Sequence, residues 1–114
     1  MAYDEKLADR IRIYLGSDKR IEEKKMFGGL AFLLFGKMTV GVIKNSLMLR
    51  VLPEMEARIK TRPHVEEMKF TGKAMKEFAS VHPEGLLSDT ALHEYIELGI
   101  AHAESKIKEK PWRA

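Results

Sequence analysis

The sequence predicts an α+β fold in which helices pack against an antiparallel sheet. Two observations lead to this prediction. Near both ends of the chain, apolar residues recur at helical spacing, and between these regions short runs rich in Val, Ile, Leu and Phe alternate with turn signals. A chain of 114 residues with 45% hydrophobic composition also fits one domain with one core, which we expect to span residues 1–114.

The first predicted element is an amphipathic helix from Asp4 to Leu15. Its apolar residues lie at helical spacing with polar residues between them, and Gly16 follows as a C-terminal cap. We interpret the polar stretch SDKRIEEKK, residues 17–25, as a linker to the next element.

Three strands in a meander are expected next. They are the segments GGLAFLLF, KMTVGVIK and SLMLRVL, which are separated by turn signals at Gly36-Lys37 and at Lys44-Asn45-Ser46. Because side chains alternate along a strand, one face of the third strand is wholly apolar, whereas Arg50 interrupts the other.

Two further elements precede the closing helix. A short helix is expected from Pro53 through Thr61, because proline fits the first turn and acidic residues precede basic ones; Pro63 ends it. The segment EMKFTGKAMKEFASV is either two strands about a turn at Thr71-Gly72-Lys73 or one strand preceded by a loop.

The closing helix is predicted to begin after Ser88, which has the side chain of an N-cap and is followed by Asp89 in the first turn. An apolar stripe with helical spacing continues from Leu92 to Ile107, over about five turns. A charged tail is expected from about residue 106.

Composition limits the classes of function. The absence of cysteine excludes disulfides, thiol nucleophiles and thiolate metal sites. The opening residues do not resemble a signal peptide, and the longest apolar run, Leu30 to Phe35, is too short to span a bilayer. We therefore expect a soluble cytoplasmic protein without membrane contact. The net charge of +3 is a mild excess, and most basic residues are interleaved with glutamates, as on a solvated face.

The stretch KMFGGLAF, residues 25–32, holds the most distinctive local pattern. A phosphate loop needs its glycines where a strand leads into a helix, but Gly28 and Gly29 lead into a predicted strand. These glycines are better explained by a bulge or by close approach of another segment to the strand.

The sequence contains no recognisable catalytic or metal-binding constellation. His93 and His102 lie nine residues apart on one predicted helix and so face opposite sides, while His93 and Glu97 lack a third ligand. We expect no catalytic residues, no metal and no cofactor. An enzymatic role would need a pocket in which Arg50 or a histidine meets a carboxylate.

Four short motifs in a fixed order resemble the N-terminal domain family of TfoX (Sxy), the bacterial regulator of competence genes. They are MFGG at 26–29, GKM at 36–38 with Gly41 following, LMLRV at 47–51 and FTGKAMK at 70–76. The resemblance covers roughly residues 7–105, as in a stand-alone member without the second domain of full-length regulators. It implies helices against a curved antiparallel sheet and no established catalytic residues. Glu77 stands where relatives often have a small residue, and Tyr95 where many have Trp.

These observations favour a non-enzymatic regulatory or adaptor domain that binds an unidentified protein partner or a second copy of itself. The expected binding surface, provided that its parts lie adjacent in the fold, consists of Phe27, Gly28, Gly29, Arg50, Phe70, Thr71, Gly72, Lys73 and Lys76. The alternative is a nucleic-acid-binding protein that uses Lys69, Lys73, Lys76 and the basic tail, with an affinity that falls steeply with salt.

Overall fold

The chain folds into one six-stranded antiparallel sheet with three α-helices. The structure is a computed structural model. It describes residues 3–16, 20–26, 28–70 and 73–108, and for 67–70, 73–76, 107 and 108 it describes the backbone alone. The helices are α1 (Glu5–Leu15), α2 (Pro53–Lys60) and α3 (Asp89–Lys108). The strands are β1 (Ile21–Met26), β2 (Gly29–Leu34), β3 (Lys37–Ile43), β4 (Ser46–Arg50), β5 (Val65–Phe70) and β6 (Lys73–Val81), in the sheet order β1-β2-β3-β4-β6-β5.

The predicted α+β class is confirmed, with one difference at β1. Residues 21–26, which we interpreted as part of a linker, pair with β2 in register, from Ile21 opposite Leu34 to Met26 opposite Gly29. No residue of β1 is buried, so this edge strand lacks the apolar alternation by which half-buried strands are recognised. The meander therefore has four strands rather than three, and the sheet has six.

The remaining elements agree with the predictions. Asp4 caps α1 by accepting hydrogen bonds from the backbone N–H groups of Lys6 and Leu7, and the hydroxyl of Ser88 accepts one from Ala91 at the start of α3. Of the two alternatives for residues 65–81, the hairpin of β5 and β6 is the one observed. The tail expected from about residue 106 begins inside α3, which extends to Lys108.

The main core lies between the helices and one face of the sheet. It includes Ile11 from α1, Ile59 from α2 and Ile96 from α3, all fully buried against strand residues such as Phe32 and Leu49. The opposite face holds a smaller buried cluster, which we call the strand cluster. Its described members all come from strands: Ala31, Leu33, Met38, Met48 and Phe78. The described helices therefore contribute only to the first face.

Two glycines allow backbones to approach closely in this core. A Cβ atom on Gly29 would lie 2.1 Å from the carbonyl oxygen of Val42 on β3, and one on Gly99 would lie 2.4 Å from the carbonyl oxygen of Thr39. Gly29 thus permits close packing against a neighbouring strand, and Gly99 lets α3 lie directly on β3. Within the described part of the chain, none of the helices has the length and apolar character of a membrane span.

We expect Gly99→Ala to destabilise the fold by about 1–3 kcal/mol, because the added methyl group must push α3 away from β3. At an exposed helical site, the same change stabilises a protein by about 1 kcal/mol. Urea denaturation measures the free energy of unfolding. The control is Ala101→Gly at an exposed position of the same helix, which should cost only the propensity difference. A Gly99→Ala protein as stable as the wild type would contradict this account.

Candidate functional site

Four charged or titratable side chains from three elements converge at one end of the sheet. They are Arg50 at the end of β4, Glu77 in β6, and His102 and Lys106 in the last turns of α3. One carboxylate oxygen, Oε1 of Glu77, is the common neighbour of the three cationic or imidazole groups. We call this set the Glu77 cluster.

The backbone places Glu77 in an unusual position. Glu67 of β5 pairs with Ala79 of β6, and Lys69 pairs with Ala74, so residues 75–78 of β6 form a bulge opposite residue 68. Within this bulge Glu77 has a φ of 66°, in the left-handed region that costs a residue with a side chain about 1–2 kcal/mol. Glycine, which has no Cβ atom, would fit this backbone with less strain.

Hydrogen bonds hold both backbone groups of Glu77. Its N–H donates to the carboxylate of Glu56 on α2 over 3.3 Å, and its carbonyl oxygen accepts from the N–H of Val51 over 3.0 Å. The bulge is thereby tied both to the segment after β4 and to α2, and the side chain of Glu77 is directed toward α3.

The contact between Glu77 and His102 is the shortest in the cluster. Nε2 of His102 lies 2.8 Å from Oε1 of Glu77, and only 1% of the histidine side chain is exposed. Burial lowers the pKa of His102, as do Arg50 and Lys106, whereas Glu77 opposes them. The hydrogen bond from His102 in turn lowers the pKa of Glu77, with Lys106 and Arg50 acting in the same direction.

The directions of these two pKa shifts define the protonation states of His102 and Glu77 near neutral pH. An ionised carboxylate can only accept a hydrogen bond, so the neutral imidazole of His102 donates from Nε2. Its Nδ1 is then an unprotonated acceptor, and this atom is buried without a hydrogen-bond partner among the described residues. The pair accordingly fixes one tautomer of the ring.

Arg50 is bound much more loosely than His102. Its Nη2 lies 3.8 Å from Oε1 of Glu77, which is beyond hydrogen-bonding distance, and its guanidinium carbon lies 4.6 Å from the centroid of the Phe78 ring. Nε of Arg50 is buried, and no atom of the part of the chain that the structure describes forms a hydrogen bond with it. Burial lowers the pKa of this guanidinium, which Glu77 partly offsets.

The structure brings together only part of the surface predicted from the sequence. Leu30 pairs with Val42, which pairs with Leu47 at the start of β4, so the adjacent Gly28 and Gly29 lie at the end of the sheet opposite Arg50. The condition that these glycines lie adjacent to Arg50 is therefore not met, because the register separates them along the strands.

The remaining residues of the predicted surface either lie at the Arg50 end of the sheet or fall outside the residues that the structure describes. Because β6 pairs with β4 only from Phe78 onward, the backbone positions of Phe70, Lys73 and Lys76 extend beyond the Arg50 end of β4. Phe27, Thr71 and Gly72 lie outside the described residues. A binding role for any of these residues stays a prediction.

Sequence reasoning missed the partners of Arg50. Glu77 was noted only as an unusual residue for its position, and His102 only as facing away from His93. A signal for His102 was present, because it follows Gly99 by three residues and so lies on the same face of α3. No comparable signal identifies Glu77, since its direction depends on the bulge. The described residues include no group of three metal-ligating side chains that could hold an ion.

Comparison with known proteins adds one finding. The model of a family described as the TfoX N-terminal domain matches residues 14–103, which is more than half of the chain. The match spans all six strands and α2, together with most of α3. No curated protein and no solved structure gives a significant match.

We expect Glu77→Gly to be more stable than Glu77→Ala by about 1 kcal/mol, because both variants lose the carboxylate but only glycine relieves the left-handed backbone. Urea denaturation of the two variants at neutral pH measures this difference. Equal stabilities would show that residue 77 does not hold a left-handed conformation in solution.

We also expect the Glu77 cluster to make stability depend on pH in two ranges. The pKa of His102 is below its ordinary value of 6.5 in the folded protein, so the unfolded chain takes up this proton first as pH falls. Stability should therefore decline as pH falls through about 6.5, until the pH lies below the folded-state pKa of His102. The pKa of Glu77 is also lowered, from an ordinary 4.5, so its contribution is present above that pH and is lost below it.

Two variants separate these ranges when the free energy of unfolding is measured against pH. His102→Gln should remove part of the decline in the upper range, and Glu77→Gln should remove part of the decline below about pH 4.5. A His102→Gln protein with the slope of the wild type in the upper range would contradict the assignment of His102 as a buried neutral ring.

Proposed function

Since the chain belongs to the TfoX N-terminal domain family, we propose that it is a regulatory or adaptor domain that acts by binding a protein partner. Membership supports the fold and the domain type. Membership alone does not assign the activity of full-length competence regulators to this chain.

The observation that carries the proposal is the position of Arg50. Its side chain is 29% exposed and lies over the ring of Phe78, at the border of the strand cluster. Arginine and aromatic residues are enriched among the few residues that dominate the energy of protein interfaces. A guanidinium already held in place by an aromatic ring also loses little conformational entropy on binding. These properties suit an anchor for a partner protein.

The same cluster gives little support for catalysis. The contact between a histidine and a carboxylate that an enzymatic role requires does occur, between His102 and Glu77. A general base must, however, come within hydrogen-bonding distance of its substrate, and the side chain of His102 is almost wholly buried. We therefore assign the pair a positioning role and propose a non-enzymatic domain.

Arg50 has a close match elsewhere in the molecule that serves as a control. Arg62 has a side chain that is 35% exposed and lies 5.5 Å from the Tyr95 ring centroid, but it donates two hydrogen bonds to Glu94. The two arginines thus share exposure and aromatic contact and differ in whether the guanidinium is already engaged.

Affinity capture from a lysate of the source organism tests the proposal. We expect Arg50→Met bait to lose a protein that wild-type and Arg62→Met baits both retain, because methionine keeps apolar contact with Phe78 but removes the guanidinium. Circular dichroism establishes that each bait is folded. Sedimentation of the purified wild type and Arg50→Met proteins shows whether the partner is a second copy of the chain.

Two results would count against this function. Identical partner sets for the wild-type and Arg50→Met baits, with no change in self-association, would remove Arg50 from the binding surface. Tight binding of labelled DNA or RNA at low salt, lost steeply as salt rises, would instead favour the nucleic-acid alternative.

A further inference from the structure

The side chain of Arg50 differs from those of Arg12 and Arg62 in its hydrogen bonds. A guanidinium carries five N–H donors, yet the side chain of Arg50 forms no hydrogen bond with any described residue, and the carboxylate of Glu77 lies 3.8 Å away. Arg12, by contrast, donates to Glu23 over 2.7 and 2.8 Å and to Asp9 over 2.7 Å. Arg62 is satisfied by Glu94.

Burial makes the missing hydrogen bonds of Arg50 costly in free energy. Nε of Arg50 is inaccessible to solvent, so water at the surface does not replace the missing acceptor. A buried donor without an acceptor is costly, and more so when the group is charged. The side chain of Arg50 is nevertheless 29% exposed, which leaves part of it within reach of a ligand.

The carboxylate of Glu77 does not supply the hydrogen-bond acceptor that Arg50 lacks. Its Oε1 accepts the N–H of His102 at 2.8 Å, while its backbone is fixed by Val51 and by Glu56. The carboxylate therefore orients Arg50 electrostatically from 3.8 Å without engaging its donors. The ring of Phe78, over which the guanidinium lies, also holds it in place.

We infer that Arg50 is a recognition site for a single oxyanion group, a carboxylate or a phosphate, presented by a protein partner. Both groups have two oxygens that match the paired N–H donors of arginine. The inference rests on the proposed function and specifies the chemistry that the partner must offer. Glu77 and His102 act as positioning residues, and Arg50 makes the contact.

The surrounding charges favour one anionic group over a polyanion. The carboxylate of Glu77 lies 3.8 Å from Arg50, and the carboxylate of Glu56 accepts the backbone N–H of Glu77, so two carboxylates lie close to the site. A second anionic group close to the first would meet these carboxylates. The apolar strand cluster beside Arg50 also suits an acidic or phosphorylated side chain with apolar neighbours better than it suits a nucleic-acid backbone.

NMR of the arginine Nε–H groups tests the inference directly. The full chain is titrated with sodium acetate, with inorganic phosphate and with a short single-stranded oligonucleotide, and the ionic strength is kept constant with chloride. We expect acetate or phosphate to shift the Arg50 Nε–H signal in a saturable manner while the Arg62 signal stays in place. Arg50→Lys, which keeps the charge but loses the paired donors, should weaken binding about tenfold.

The probes distinguish the source of the anion. A response to acetate indicates a carboxylate side chain, and a response to phosphate alone indicates a phosphorylated one. No saturable shift with either anion, or an equal affinity in Arg50→Met measured on the ring signals of Phe78, overturns the inference. Oligonucleotide binding with the salt dependence of several phosphate contacts also overturns it.

Failure of this inference can be separated from failure of the proposed function. If Arg50→Met bait loses its partner but neither anion binds the wild type, then the function stands and the recognised group is not an oxyanion. If an anion binds at Arg50 but the captured proteins are unchanged, then the anion site stands and the proposed adaptor surface does not.

Discussion

The close approach of α3 to β3 is the constraint on which the rest of the structure depends. At Gly99 the helix lies so near the carbonyl of Thr39 that a side chain would collide with it. This contact brings the apolar stripe of α3, including Leu92 and Ile96, into the main core. It also fixes where the next turn of the helix lies, and that turn carries His102 to Glu77. Packing in the core thereby sets the geometry of a polar cluster at its border.

Within the Glu77 cluster, the carboxylate of Glu77 lies at different distances from its three neighbours. Glu77 accepts a short hydrogen bond from His102, but Arg50 and Lys106 are each 3.8 Å away. The unequal distances follow from the backbone, since the bulge in β6 and the hydrogen bonds from Val51 and to Glu56 leave Glu77 little freedom. Backbone strain at a functional site is usually retained only where surrounding contacts enforce it. Here the enforcing contacts come from the residue that follows β4, from α2 and from α3.

Much of this architecture could be predicted from the sequence, because it depends on local patterns. The apolar stripe and the N-cap at Ser88 identify α3, and the interrupted apolar face of β4 singled out Arg50. The features that could not be predicted depend on contacts distant in sequence. An edge strand with exposed charges, such as β1, does not show the alternation of apolar and polar residues by which strands are recognised. The direction of the Glu77 side chain follows from a bulge that is set by pairing with β5.

The edge position of β1 has a consequence for how the molecule meets its neighbours. Beyond β2, the described residues supply no further strand to pair with β1, and its middle residues are Glu22, Glu23, Lys24 and Lys25. Charged side chains along an open edge discourage a strand from another molecule from adding there, because their hydration would be lost. The charges of β1 thus oppose growth of the sheet at this one edge.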